Sequence, residues 1–164
     1  KIILVVDDNE KEKWLYADAI RKAGYSTLSV NSATEAIRVL KDSSVEWELL
    51  LTDYIMLDWG GFELALAAKQ LHPTLPIIVH SRGGIESQAY QSTLPDVIFT
   101  DKADPEETVK LVKQELAKDL KRGISGIVER SPFYLTAGFL DDIKARVLYA
   151  REQGKRLNLE ELPQ

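Results

Sequence analysis

Five short strand-like runs, four of them mostly apolar and the second alternating, constrain this chain more than any other feature. They are KIILVV (1–6), STLSV (26–30), ELLLT (48–52), PIIVH (76–80) and DVIFT (96–100). Each is too short for a buried helix, and each is followed by a stretch with helical spacing. NEKEKWLYADAIRKAGY (9–25) carries Trp14, Leu15, Ala19 and Ile20 as its expected apolar stripe, with Gly24 as a stop. SATEAIRVLKD (32–42) opens on Ser32 with Glu35 three residues on, a capping-box signature. GFELALAAKQL (61–71) is closed by His72-Pro73, GIESQAYQS (84–92) is short, and 104–123 places acids first and lysines last.

Strand and helix alternating five times require right-handed crossovers and a parallel sheet. The expected fold is therefore a three-layer α/β sandwich, a doubly wound (βα)5 domain with five parallel strands. In such sheets the working site lies beyond the carboxyl ends of the strands, at the point where strand order reverses. With an order of 2-1-3-4-5, that rule selects Asp7 and Asp8, Asp53, His80 and Ser81, and Thr100 to Lys102.

Asp7, Asp8 and Asp53 then share one mouth. Two carboxylates about 4 Å apart repel by roughly 4 kcal/mol at an effective dielectric near 20. Three need a proton or a hard cation, and oxygen ligands suit Mg2+, which keeps waters and leaves room for a phosphate. Lys102 adds an ammonium and Ser81 a hydroxyl. An acid able to attack, a divalent cation, an ammonium and a hydroxyl make a phosphoryl-transfer site, with Asp53 as nucleophile. Taken singly, Asp8 reads as a cap for the helix beginning near Asn9, Asp53 as a turn former and Ser81 as a helix cap. His80 reads as a packed strand-end histidine, and Trp14 and Trp47 as packing residues.

Bulk properties narrow the class. The 164 residues suffice for one domain and an appendage. Net charge is −5 with no basic block, so direct nucleic-acid binding by this segment is not expected. Cysteine is absent, which rules out disulfides, thiolate metal sites and cysteine nucleophiles and fits a cytoplasmic location. No apolar run approaches a membrane span. The chain opens on a strand at Lys1 without methionine and is expected to be part of a longer protein.

These residues resemble the receiver domains of two-component response regulators. LVVDDN (4–9) is similar to the family's acidic pair after the first strand, and DYIMLDWGG (53–61) to its phosphoacceptor segment. PIIVHS (76–81) resembles the fourth strand ending on Ser or Thr, and VIFTDK (97–102) the fifth strand with its aromatic residue before a lysine. The resemblance covers roughly 1–120 and implies the flavodoxin-like receiver fold. It implies that Asp53 accepts a phosphoryl group from a sensor histidine kinase or phosphotransfer protein. Asp8, Asp53 and the Ile55 carbonyl would ligate Mg2+ directly, and Asp7 mainly through water. Lys102 and Ser81 would hold the phosphoryl oxygens, and Ser81 and Phe99 would act as the switch pair. Such a domain catalyses only its own phosphorylation and dephosphorylation. Three positions depart from the pattern: Leu57 and Ala103 where proline is usual, and Arg82 where a small residue is usual, a guanidinium able to screen the site or bind phosphate.

The same residues bear on two other functions. A haloacid-dehalogenase-type phosphatase needs a second acid two residues after its nucleophile, but Ile55 and Asn9 stand there. An unphosphorylated receiver-like scaffold is the other alternative. Residues 121–164 form an expected helical extension, with Phe139, Leu140, Ile143, Val147 and Ala150 as an apolar stripe over 137–153. That helix is expected to dock across a homodimer or against the receiver's own helices, the dimer being favoured, or to lead as a linker into a further domain.

Overall fold

The computed structural model describes residues 1–83 and 93–125, with side chains to residue 118. The chain divides into two units, Lys1–Arg130 and Ser131–Gln164, and the second lies outside the described residues. The expected helices at 84–92 and 137–153 fall outside them too.

The described elements are β1 (Ile2–Val6), α1 (Glu10–Lys22), β2 (Thr27–Val30), α2 (Ala33–Leu40), β3 (Trp47–Asp53), α3 (Gly61–Leu71), β4 (Ile77–Ser81), β5 (Val97–Asp101) and α4 (Pro105–Ser125). All strand pairs are parallel, and the sheet order is β2-β1-β3-β4-β5. This is the expected doubly wound sheet, and the order reverses between β1 and β3. Helix α4 runs without a break across residue 120.

Helices on both faces explain why the central strands β1, β3 and β4 are buried along most of their length, whereas the edge strand β2 buries only Val30. Ile3, Val5, Leu49, Leu51 and Ile78 pack with Tyr16, Ala17 and Ile20 of α1 and Val112 and Leu116 of α4. The intervening Leu4, Val6, Leu50, Ile77 and Val79 are equally buried. Each such side chain contributes about 1.5–3 kcal/mol on burial.

The stripe of α1 differs from the expected one. Lys13, Tyr16, Ala17 and Ile20 are buried, whereas Trp14 is 59% exposed and Leu15 is also exposed. The buried set follows the i, i+3, i+4, i+7 spacing of one helix face. Trp14 and Leu15 lie off that face, so Trp14 is not a packing residue of the core. Asn9, not Asp8, caps α1, its Oδ1 accepting from the Lys11 and Glu12 amides. At α2, Ser32 Oγ accepts from the Glu35 amide, and Glu35 Oε2 accepts from the Asn31 amide. A second acid also serves α2: Asp58, in the β3–α3 loop, accepts from the Ala33 and Thr34 amides at 3.2 and 2.8 Å. These bonds outweigh the cost of burial and hold the Asp58 carboxyl below its ordinary range.

Candidate functional site: a lysine among carboxylates

Backbone ladders bring the site together. The β3–β4 register sets Asp53 beside His80, and β4–β5 sets Ser81 beside Asp101. Beyond the ladder, the Tyr54 amide donates to the His80 carbonyl at 2.8 Å. The Lys102 amide donates to the Ser81 carbonyl at 2.7 Å. Ser81 thus fixes the start of the Lys102 segment through its backbone, while its hydroxyl accepts from the Gly83 amide at 3.3 Å.

Gly61 permits the loop after Asp53 to fold back. Its amide donates to the Tyr54 carbonyl at 2.8 Å. A Cβ there would run into the Asp53 carbonyl oxygen and lie 2.9 Å from Val79 Cγ1. Close approach, not an unusual φ, therefore requires glycine: among the described residues only Gly24 has a positive φ.

The Lys102 ammonium is the centre of the site. Its side chain is 2% exposed, and Nζ lies 2.8 Å from Asp7 Oδ2 and 3.0 Å from Asp53 Oδ1. A third carboxylate, Glu12, also pairs with it. Arg82 Nε in turn donates to Glu12 Oε1 at 2.7 Å. Burial would lower the Lys102 pKa, but hydrogen bonds to Asp7, Glu12 and Asp53 outweigh it and raise it further. Lys102 is therefore charged throughout the accessible pH range. At Asp53 the balance is opposite: burial outweighs Lys102 and raises the carboxyl pKa above its usual value. A cation beside Asp53 would offset that cost of burial and favour its carboxylate form.

Asp7 is buried, and its Oδ1 accepts from the Asn9 amide at 2.9 Å. Asp8 Oδ2 accepts from the Leu57 amide at 2.9 Å, tying the loop after β3 to the end of β1. Ile55 stands in that loop and is exposed. Phe99 is buried, its ring 6.3 Å from that of Phe62.

Asp7, Asp53 and His80 place one ligand atom each within 4.8 Å of one another. Carboxylate oxygens at this spacing fit a hard divalent cation. His80 adds a nitrogen and contacts the Tyr16 ring edge-on at 4.8 Å. Burial, reinforced by Lys102, pushes its pKa down to about 3, so the imidazole is neutral at physiological pH.

Sequence reasoning missed Glu12 and Tyr16. Glu12 lies four residues after Asp8, a helical repeat that puts it over the same mouth; that spacing was the available signal. Tyr16 donates its hydroxyl to the Ala103 carbonyl at 2.7 Å, and Lys102 Nζ lies 5.7 Å from its ring centroid. It anchors the segment after Lys102.

Known proteins match this arrangement. The model of the response regulator receiver domain matches residues 3–113. The DNA-binding transcriptional regulator NtrC of Proteus hauseri is 26% identical over 170 residues, covering 93% of this chain and 35% of NtrC. The sensor histidine kinase RcsC of Salmonella typhimurium is 32% identical over 77 residues, 47% of this chain and 8% of RcsC. The chain thus spans about a third or less of these relatives' lengths. A CheY-like receiver domain protein from Methanospirillum hungatei superposes with a TM-score of 0.67 at 22% identity, covering 75% of this chain and 98% of that one. The response regulator TrrA of Thermotoga maritima, solved with Mg2+ and BeF, gives 0.60 at 23% identity, covering 71% and 98%. Strand order, strand-end acids and the family match over 3–113 lead to one conclusion: this chain belongs to the response regulator receiver domains of two-component signal transduction.

Proposed function

We propose that Asp53 is the phosphoacceptor of this receiver, loaded by a phosphohistidine of a sensor histidine kinase or phosphotransfer protein. One observation carries the reading: the buried Lys102 ammonium sits 3.0 Å from Asp53 Oδ1, at the switch point of a doubly wound sheet. An Asp53 oxygen attacks phosphorus in line, the phosphorus–nitrogen bond breaks, and the donor imidazole leaves with the bonding pair and takes up a proton. Lys102 neutralises a phosphoryl oxygen as charge develops. Ser81, at the adjacent strand end, offers its hydroxyl to another, and buried Phe99 follows its movement.

Receiver domains bind Mg2+ through acidic residues. Here Asp7, Asp8, Asp53 and the Ile55 carbonyl are the proposed holders, and the spacing of the Asp7 and Asp53 carboxylates supports those two. Bound there, the ion would screen Asp53 from the incoming phosphoryl oxygens. The cytoplasmic setting, and the dimer through residues 137–153, belong to the same proposal; truncation after Gly123 should then lower the oligomeric state seen by light scattering from dimer to monomer. Among the described residues, no helix is long and apolar enough to cross a membrane.

The test of the central reading is intact mass after incubation with Mg2+ and a small phosphodonor such as an acyl phosphate. One added phosphoryl group is expected in the wild type and none in Asp53→Asn. An equal gain in both would remove Asp53 from the role.

A further inference from the structure

We propose that Glu12 and Arg82 form a charge-neutral latch over the phosphoryl seat, with Glu12 holding the Lys102 ammonium at rest and passing to Arg82 when a phosphoryl group arrives. The inference rests on the phosphoacceptor reading of Asp53 and adds a control to it.

An ammonium has three hydrogens to donate. Lys102 has Asp7, Asp53 and Glu12 as partners, so all three are engaged. A phosphoryl group on Asp53 needs one of them. Asp7 is poorly placed to yield, being 2% exposed and held by the Asn9 amide. Glu12 is 18% exposed, stands on the first turns of α1 and already has a second cation at 2.7 Å. Arg82 is 68% exposed on the turn after β4, so it can follow Glu12 outward. Exchanging one ammonium for a guanidinium already in contact leaves neither charge unpaired.

The charges at the mouth favour the same view. Asp7, Asp8, Glu12 and Asp53 against Lys102 and Arg82 leave two negative charges, the complement of one divalent cation. Removing Glu12 and Arg82 together leaves the same balance. The pair therefore adds a contact on Lys102 without altering the field that draws in the metal. Neutralising either member alone upsets that field in a known direction.

Calorimetric titration of Mg2+, then of beryllofluoride at saturating Mg2+, separates the effects in the full chain. Glu12→Gln should weaken Mg2+ by about three- to tenfold and tighten beryllofluoride by a similar factor, since a competitor for Lys102 is gone. Arg82→Gln should do the reverse. The double variant should return Mg2+ affinity to the wild-type value. A purely structural role would weaken both ligands in both single variants, and that result, or no change in either, would overturn the latch. The underlying reading fails separately: a wild type that takes up no beryllofluoride would remove the phosphoacceptor role and the latch with it. Uptake lost in Asp53→Asn, with the single variants unchanged, would remove the latch alone.

Discussion

The inner and outer halves of the site are built from the same chemistry in different solvents. Lys102, Asp7 and Asp53 are 2, 2 and 14% exposed at the ends of three strands, whereas Arg82 is 68% exposed at the rim. Buried charges are costly to leave unpaired, so the inner set is held by backbone ladders and by the Asn9 amide. Rim charges are screened by water and salt and contribute little to stability. The inner set is thus suited to chemistry that needs fixed positions, and the outer set to regulation that needs movement.

The largest break in that contrast should come from Lys102→Met. It leaves Asp7, Glu12 and Asp53 facing one another without their cation, and removing one partner of a buried pair costs about 3–5 kcal/mol. Denaturant melts should show that loss, and millimolar Mg2+ should restore part of it. Arg82→Met should instead leave stability nearly unchanged, as for other exposed, water-screened ion pairs. Equal losses in the two variants would erase the distinction between inner and outer sets.

His80 tests how dry the inner half is. Its pKa falls from 6.5 in the unfolded chain to about 3 in the fold, because of burial and then Lys102. Between those values the unfolded state binds the extra proton. Stability should therefore decline as pH falls below 6.5, by up to about 1.4 kcal/mol per pH unit. Melts in Mg2+-free buffer from pH 6.5 to 5, above the usual carboxylate range, should show this slope, and His80→Asn should flatten it. A flat wild-type profile would mean that water reaches the imidazole.

Gly61→Ala sharpens the same point from the backbone side. The added methyl meets the Asp53 carbonyl and Val79, and overpacking of this kind costs about 1–3 kcal/mol. Gly60→Ala meets mainly the flexible Glu63 side chain and should cost less. Thermal melts of the two variants give the ranking, and a reversed order would contradict the close approach at Gly61.

Much of this was legible in the sequence, and the reasons are local. Four apolar runs and one alternating run specify the five strands, and strand direction alone carries Asp7, Asp53, Ser81 and Lys102 to one edge of the sheet. Side-chain partnerships across elements were not legible. Glu12 reads as an ordinary acid in a first helical turn until the fold brings Lys102, just beyond β5, within reach of it. Trp14 reads as core by composition, but the helix phase that buries Tyr16 and Ile20 turns it outward. Asp58 reads as part of the loop after Asp53, and only the packing of that loop on α2 makes it a cap. His80 kept its reading as a packed strand-end residue, and the ladder added a position beside Asp53 that no local pattern contains.

The most direct test is to trap the acyl phosphate chemically and locate it. After loading with a small phosphodonor and Mg2+, borohydride reduction converts an aspartyl phosphate to homoserine, which peptide mass spectrometry can assign. The account predicts homoserine at position 53 alone, dependent on both donor and Mg2+. Homoserine at position 7 or 8, or a stable phosphoryl group elsewhere with residue 53 unmodified, would contradict it.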